Sequence, residues 1–119
     1  MAKILLAEDD NILRTMMIDS LEFQGHEVDG AEDGEEAWHL WRLGEYDILI
    51  TDINMPKMNG IDLLKNIREL NKTFPIIVIT GVYFESAEKQ AIDFAANMIM
   101  YKPFSMKKLF EAVNKFLAQ

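Results

Sequence analysis

The chain has 119 residues, half of them hydrophobic, with 12 Lys and Arg against 20 Asp and Glu and a net charge of −8. That length fits one compact domain with a real core and leaves little room for a second, while the acidic balance lacks the basic footprint used to bind DNA, RNA or an anionic membrane. With no Cys, disulfide frameworks, thiolate metal sites and thiol nucleophiles are excluded.

In chain order, Ile4-Leu5-Leu6-Ala7 is continuously apolar, the pattern of a strand buried on both faces. Leu13, Met16, Met17, Ser20 and Leu21 then fall on one helical face that should dock on the sheet. A weaker run from Glu27 to Ala31 reads as an edge strand. Asp33 with Glu36 three residues on resembles a capping box, opening a second helix that carries Ala37, Trp38 and Trp41. Ile48-Leu49-Ile50 and Ile76-Ile77-Val78-Ile79 are two more central strands, separated by a helix whose apolar face is Leu63, Leu64, Ile67 and Leu70. Ala87, Ala91, Phe94 and Ala95 mark a fourth helix, and Met98 to Tyr101 a second edge strand. Ser105 is placed to cap the last helix, where Leu109, Val113, Phe116 and Leu117 share a face. Five βα units of this kind predict an α/β fold, a parallel sheet with helices on both faces. No linker, repeat or low-complexity tract interrupts the chain, so residues 1–119 are expected to form a single domain. No signal peptide is recognisable and no apolar run is long enough to span a bilayer, so a soluble, cytoplasmic domain is expected.

In such a fold the loops after the carboxyl ends of the strands build the binding site. Glu8, Asp9 and Asp10 follow the first strand, Thr51-Asp52 ends the third, Thr80-Gly81 ends the fourth, and Lys102-Pro103 follows the fifth. Carboxylates gathered from separate strands repel one another and call for a cation. All-oxygen ligands select Mg²⁺ or another hard ion such as Mn²⁺. Lys102 would bring a point positive charge and Thr80 a hydroxyl to a phosphoryl group, with the Asp52 carboxylate as attacking oxygen.

Taken together, these residues resemble the receiver domains of response regulators in two-component signalling. The likeness runs through Ile4-Leu5-Leu6-Ala7-Glu8-Asp9-Asp10, Asp52-Ile53-Asn54-Met55-Pro56 with Asn59-Gly60, Val78-Ile79-Thr80 and Lys102-Pro103-Phe104. The resemblance implies a flavodoxin-like, doubly wound five-stranded sheet of order 2-1-3-4-5. It implies Asp52 as phosphoacceptor and metal ligand, Asp9 as a direct Mg²⁺ ligand, and Glu8 as a ligand through water. The backbone carbonyl of Asn54 would complete the protein's share of the coordination. Backbone N–H groups near Asn54 and Gly81 would cradle the phosphoryl oxygens, Thr80 and Lys102 would complete the switch, and a cis peptide is implied between Lys102 and Pro103. A histidine kinase or histidine phosphotransfer protein would be the phosphodonor, with an output partner unspecified. No output domain follows Gln119, so a free-standing regulator is the expectation.

Three positions depart from the family's pattern. Ile99 stands where an aromatic residue commonly reports phosphorylation; Tyr83 and Tyr101 lie nearby and, with Ile99, form the expected partner face. Gly81 stands where Ala or Ser is more usual and is expected to loosen its loop. Val82 puts no polar group near an attacking water, so a long-lived phosphoryl group is expected. Trp38 and Trp41 are expected in packing rather than partner binding, and Met55 and Met58 in an exposed loop. His26 and His39 show no metal-ligand spacing. The competing readings are a small phosphohydrolase using Asp52, which lacks a second carboxylate because Asn54 stands there, a flavin binder, which the acidic loops disfavour, and a docking scaffold without phosphorylation.

Overall fold

The computed structural model describes residues 2–81 and 85–117. Five strands and five helices alternate: β1 (Lys3–Ala7), α1 (Asn11–Phe23), β2 (Glu27–Ala31), α2 (Gly34–Leu43), β3 (Ile48–Asp52), α3 (Gly60–Leu70), β4 (Ile76–Thr80), α4 (Glu85–Asp93), β5 (Met98–Tyr101) and α5 (Met106–Leu117). All strand pairings are parallel and the sheet order is β2-β1-β3-β4-β5, as the resemblance implies. The three continuously apolar runs are the three inner strands.

Alternation of side chains along a strand divides the core into two layers. Ile4, Leu6, Ile48, Ile50, Ile77 and Ile79 meet α1 and α5 through Met17, Leu21, Leu109 and Val113. On the other face, Leu5, Leu49, Ile76 and Val78 meet Ala37, Leu63, Leu64, Ile67 and Ala91. The three inner strands are therefore sealed on both sides, and their ionisable groups stand at the strand ends.

Four helix starts are capped by side chains, and two of the caps, Asp33 and Ser105, are those the sequence predicts. The Asp10 carboxylate accepts from the N–H groups of Ile12 and Leu13 at 2.9 and 3.1 Å, and Asp33 accepts from Glu36 at 2.7 Å. Asn59 accepts from Asp62 at 2.9 Å, and the Ser105 hydroxyl from Lys108 at 3.1 Å; each side chain satisfies a first-turn donor.

Three details differ from the sequence reading, and a fourth bears it out in part. Met16 and Leu70 turn to solvent, 53% and 67% exposed, because each helix buries a narrower stripe than its apolar residues would allow. Met55 and Met58 are half-buried against the α2–α3 layer rather than exposed. Phe94 and Ala95 lie beyond the end of α4, where Ala95 takes a left-handed φ of 61°. Trp38 and Trp41 do pack, but only in part: their rings stack at 5.8 Å and Trp41 meets Phe74 edge-on at 5.5 Å.

The Ala95 turn is held by Arg68, a buried cation with no counterpart in the sequence reading. Its guanidinium donates to the Ala95 carbonyl at 2.9 and 3.3 Å, to the Asn71 carbonyl at 3.1 Å and to Asn97 Oδ1 at 3.1 Å. Asn97 Oδ1 also accepts from the N–H of Ile76 at 2.8 Å, so one side chain joins the ends of α3 and α4 to the starts of β4 and β5. Arg68→Met leaves these carbonyls without their donor and is expected to cost about 2 kcal/mol, the worth of hydrogen bonds to a charged group. Urea unfolding followed by circular dichroism measures it.

Candidate functional site

The sheet order reverses between β1 and β3, and a crevice opens there at the strands' carboxyl ends. Glu8, directly after β1, is fully buried, and Asp52, closing β3, is 4% exposed. Asp9 is exposed at the rim. One carboxylate oxygen from each of Glu8, Asp9 and Asp52 lies within 4.8 Å of the other two, the spacing of a single hard cation's ligand sphere.

Lys102 reaches this cluster from the far side of the sheet. The cis Lys102–Pro103 peptide follows β5, and the lysine Nζ donates to Asp52 Oδ2 at 2.7 Å and to Glu8 Oε1 at 2.8 Å. The remaining carboxylate oxygens have backbone donors: Asn54 N–H to Asp52 Oδ1 at 3.3 Å and Asp10 N–H to Glu8 Oε2 at 3.0 Å. Gly60 is pressed against this strand end, since a Cβ there would stand 2.0 Å from the Asp52 carbonyl oxygen. Its own N–H donates to the Ile53 carbonyl at 2.8 Å. Only glycine allows α3 to start so close to the Asp52 backbone.

Burial pushes the Glu8 carboxyl above its usual range, and the nearby Asp52 charge adds to this while Lys102 and the Asp10 N–H oppose it. For Lys102, burial pulls the ammonium down, but the hydrogen bonds to Asp52 and Glu8 more than reverse it, and the group ends raised. An acidic rim with one firmly charged lysine is the result.

Thr80 ends β4, 3% exposed, and its carbonyl accepts from the N–H of Lys102 at 2.8 Å. Register places Asp52 beside Ile79 and Thr80 beside Tyr101, so Thr80 sits one step beyond the aspartate on the neighbouring strand. Gly81 is exposed, and among the described residues a Cβ there would meet the Lys102 stem at 3.5 Å, an ordinary contact. Ile99 is half-buried in the α2–α3–α4 layer. Tyr101 is 41% exposed and its hydroxyl donates to Glu88 Oε2. Val82 and Tyr83 lie outside the described residues. The sequence reading missed Gly60's role against Asp52 and the contact from Arg14 Nη1 to the Glu8 carbonyl at 2.7 Å; an arginine one turn into a helix reads simply as surface charge.

A carboxylate trio, a lysine joining two of them and a threonine at the adjacent strand end thus meet at one rim of the sheet. Residues 4–114 match the response regulator receiver domain, and the chain belongs to that family. It is 34% identical over 117 residues to the two-component response regulator PhoP of Pseudomonas aeruginosa, covering 97% of this chain and 51% of that protein. The chain spans about half the length of that regulator, and 9% of the sensor protein EvgS of Escherichia coli, to which it is 34% identical over 106 residues and 89% of its own length. Among solved structures it is similar to the chemotaxis protein CheY4 of Vibrio cholerae, with a TM-score of 0.91, 30% identity and 98% and 99% of the two chains covered. It is also similar to the response regulator TrrA of Thermotoga maritima in complex with Mg²⁺-BeF, with a TM-score of 0.90, 33% identity and 98% and 100% covered. The chain is thus a receiver domain of the two-component class, with a phosphoacceptor signalling role. Among the described residues, no helix is long and apolar enough to cross a membrane.

Because the folded-state pKa of Glu8 is raised above the unfolded value of 4.5, the native state holds a proton there that the unfolded chain has released. This contribution makes stability fall as pH rises from about 4.5 through the folded pKa, after which the penalty is constant. Glu8→Gln is expected to flatten that segment of a Tm-against-pH curve recorded in EDTA; a slope unchanged from the parent would contradict it.

Proposed function

We infer that Asp52 accepts a phosphoryl group from a phosphohistidine, in a reaction that depends on a divalent cation bound by the acidic rim. The observation that carries this reading is the lysine: Lys102 Nζ bonds both Asp52 and Glu8, residues 50 and 94 positions away in the chain. A lysine with three donors keeps Glu8 while turning one N–H toward a phosphoryl oxygen.

The donor set fits Mg²⁺: Asp9 and Asp52 as direct ligands, the Asn54 carbonyl as a third, and Glu8 through water. Bound there, Mg²⁺ offsets the negative charge of the acids and of the incoming phosphoryl group. Mn²⁺ suits the same oxygens. That TrrA is described in complex with Mg²⁺-BeF supports this reading.

An Asp52 carboxylate oxygen forms the new bond to phosphorus as the P–N bond of the donor imidazole breaks and the imidazole leaves with the electron pair. Lys102 meets the charge that builds on the phosphoryl oxygens, Thr80 offers its hydroxyl, and backbone N–H groups at Asn54 and Gly81 complete the cradle. The acyl phosphate carries about two negative charges where the carboxylate carried one, and this biases two arrangements of the rim loops that exchange in the resting protein. The donor is a histidine kinase or histidine phosphotransfer protein, the compartment the cytoplasm.

Read-out falls on the β5–α5 side, where Met98, Ile99, Tyr101, Phe104 and Lys108 line a groove of about 750 Å³. With Ile99 in place of an aromatic switch, Tyr101, held to Glu88, is a polar link between β5 and α4 that partner binding would sense. A phosphohydrolase is disfavoured because Asn54, two residues past Asp52, is an amide where an acid/base group is needed.

Incubation with acetyl phosphate and Mg²⁺, followed by intact mass, tests the proposal. The parent should gain one phosphoryl mass, with no gain in EDTA or in Asp52→Asn. Equal labelling of Asp52→Asn and the parent would refute it.

A further inference from the structure

We propose that Arg14 is a positioning residue for the cation site, fixing the peptide between Glu8 and Asp9. The proposal rests on Glu8, Asp9 and Asp52 forming that site.

Every polar group of Glu8 is held. Its N–H donates to the Ala31 carbonyl at 3.1 Å, its carboxylate takes Lys102 and the Asp10 N–H at 2.8 and 3.0 Å, and its carbonyl takes Arg14 Nη1 at 2.7 Å. The first three contacts fix the residue from its amide side and its side chain. Arg14 alone of these partners holds the peptide plane that leads into Asp9. Because Asp9 is exposed, its backbone rather than packing sets where its carboxylate stands.

The arginine is itself anchored. Nη2 donates to Asn11 Oδ1 in the first turn of α1, so the planar fork ties the start of the helix to the end of β1. Its stem lies across β2 at Gly30, where an added Cβ would come within 3.2 Å of Arg14 Cδ and 2.8 Å of Ile18 Cδ1. A strand residue without a side chain leaves the path the guanidinium follows to the Glu8 carbonyl.

Two effects of Arg14 on a bound cation have opposite signs. As a positive charge beside the acids it repels a divalent ion, so its removal would tighten binding by Coulomb's law. As the brace behind a ligand-bearing turn it favours binding, and loss of such outer partners weakens metal sites by about tenfold or more. We place Arg14 in the second role.

Isothermal titration of Mg²⁺ at fixed ionic strength into the parent, Arg14→Met and Arg14→Lys separates the two, with thermal melts in EDTA to verify the fold. Arg14→Met should bind Mg²⁺ about tenfold more weakly, and Arg14→Lys less weakly, because an ammonium keeps one of the two bonds. Equal or tighter binding by Arg14→Met overturns the proposal; should that variant not fold, parent-level or tighter binding by Arg14→Lys does so. A parent that takes up no Mg²⁺ defeats the cation reading itself, and the role of Arg14 with it.

Discussion

Three carboxylates gathered within 4.8 Å repel one another, and the architecture of the rim follows from containing that repulsion. Burial sharpens the problem, since Glu8 is fully enclosed and Asp52 nearly so. Lys102 answers part of it by placing one ammonium between those two acids. Its pairing is not a free gain in stability, because a buried ion pair must first offset desolvation. What it supplies is one positive charge shared between two acids at the strand ends.

The parallel sheet makes this arrangement possible. Inner strands buried on both faces can carry no charge along their length, so every ionisable group is pushed to the ends. The order β2-β1-β3-β4-β5 sets the ends of β1 and β3 side by side, with β4 and β5 beyond them. Acids therefore arrive from two adjacent strands, while the hydroxyl and the amine come from the next two. The opposite ends carry a different kind of polar work: Arg68 and Asn97 tie α3 and α4 to β4 and β5 through carbonyls, which steadies the frame without touching the chemistry.

Much of this is legible in the amino-acid sequence itself. The unbroken apolar runs marked the inner strands because no half-exposed strand tolerates such a pattern, and the polar residues just past them meet at one rim. Apolar residues at the margins of helical faces were less readable: periodicity places Met16 and Leu70 near the core-facing stripe but does not set its width, and Met55 and Met58 fold back onto the core from a loop that has no period. The roles of Arg14 and Arg68 were not legible at all, and Gly60 was legible as a motif residue but not in what it packs against. Each acts on a backbone carbonyl, and a sequence does not say where carbonyls lie. Ile99 was legible as a departure, but the Tyr101–Glu88 contact beside it was not, since it joins residues 13 apart.

The central claim is that the acyl phosphate forms on Asp52 and nowhere else among the acids. Borohydride reduces an aspartyl phosphate to homoserine, so reduction of the phosphorylated protein followed by peptide sequencing in a mass spectrometer locates the bond. The account predicts homoserine at position 52 and unmodified aspartate at positions 9 and 10. Homoserine at either of those positions, with Asp52 intact, would contradict it.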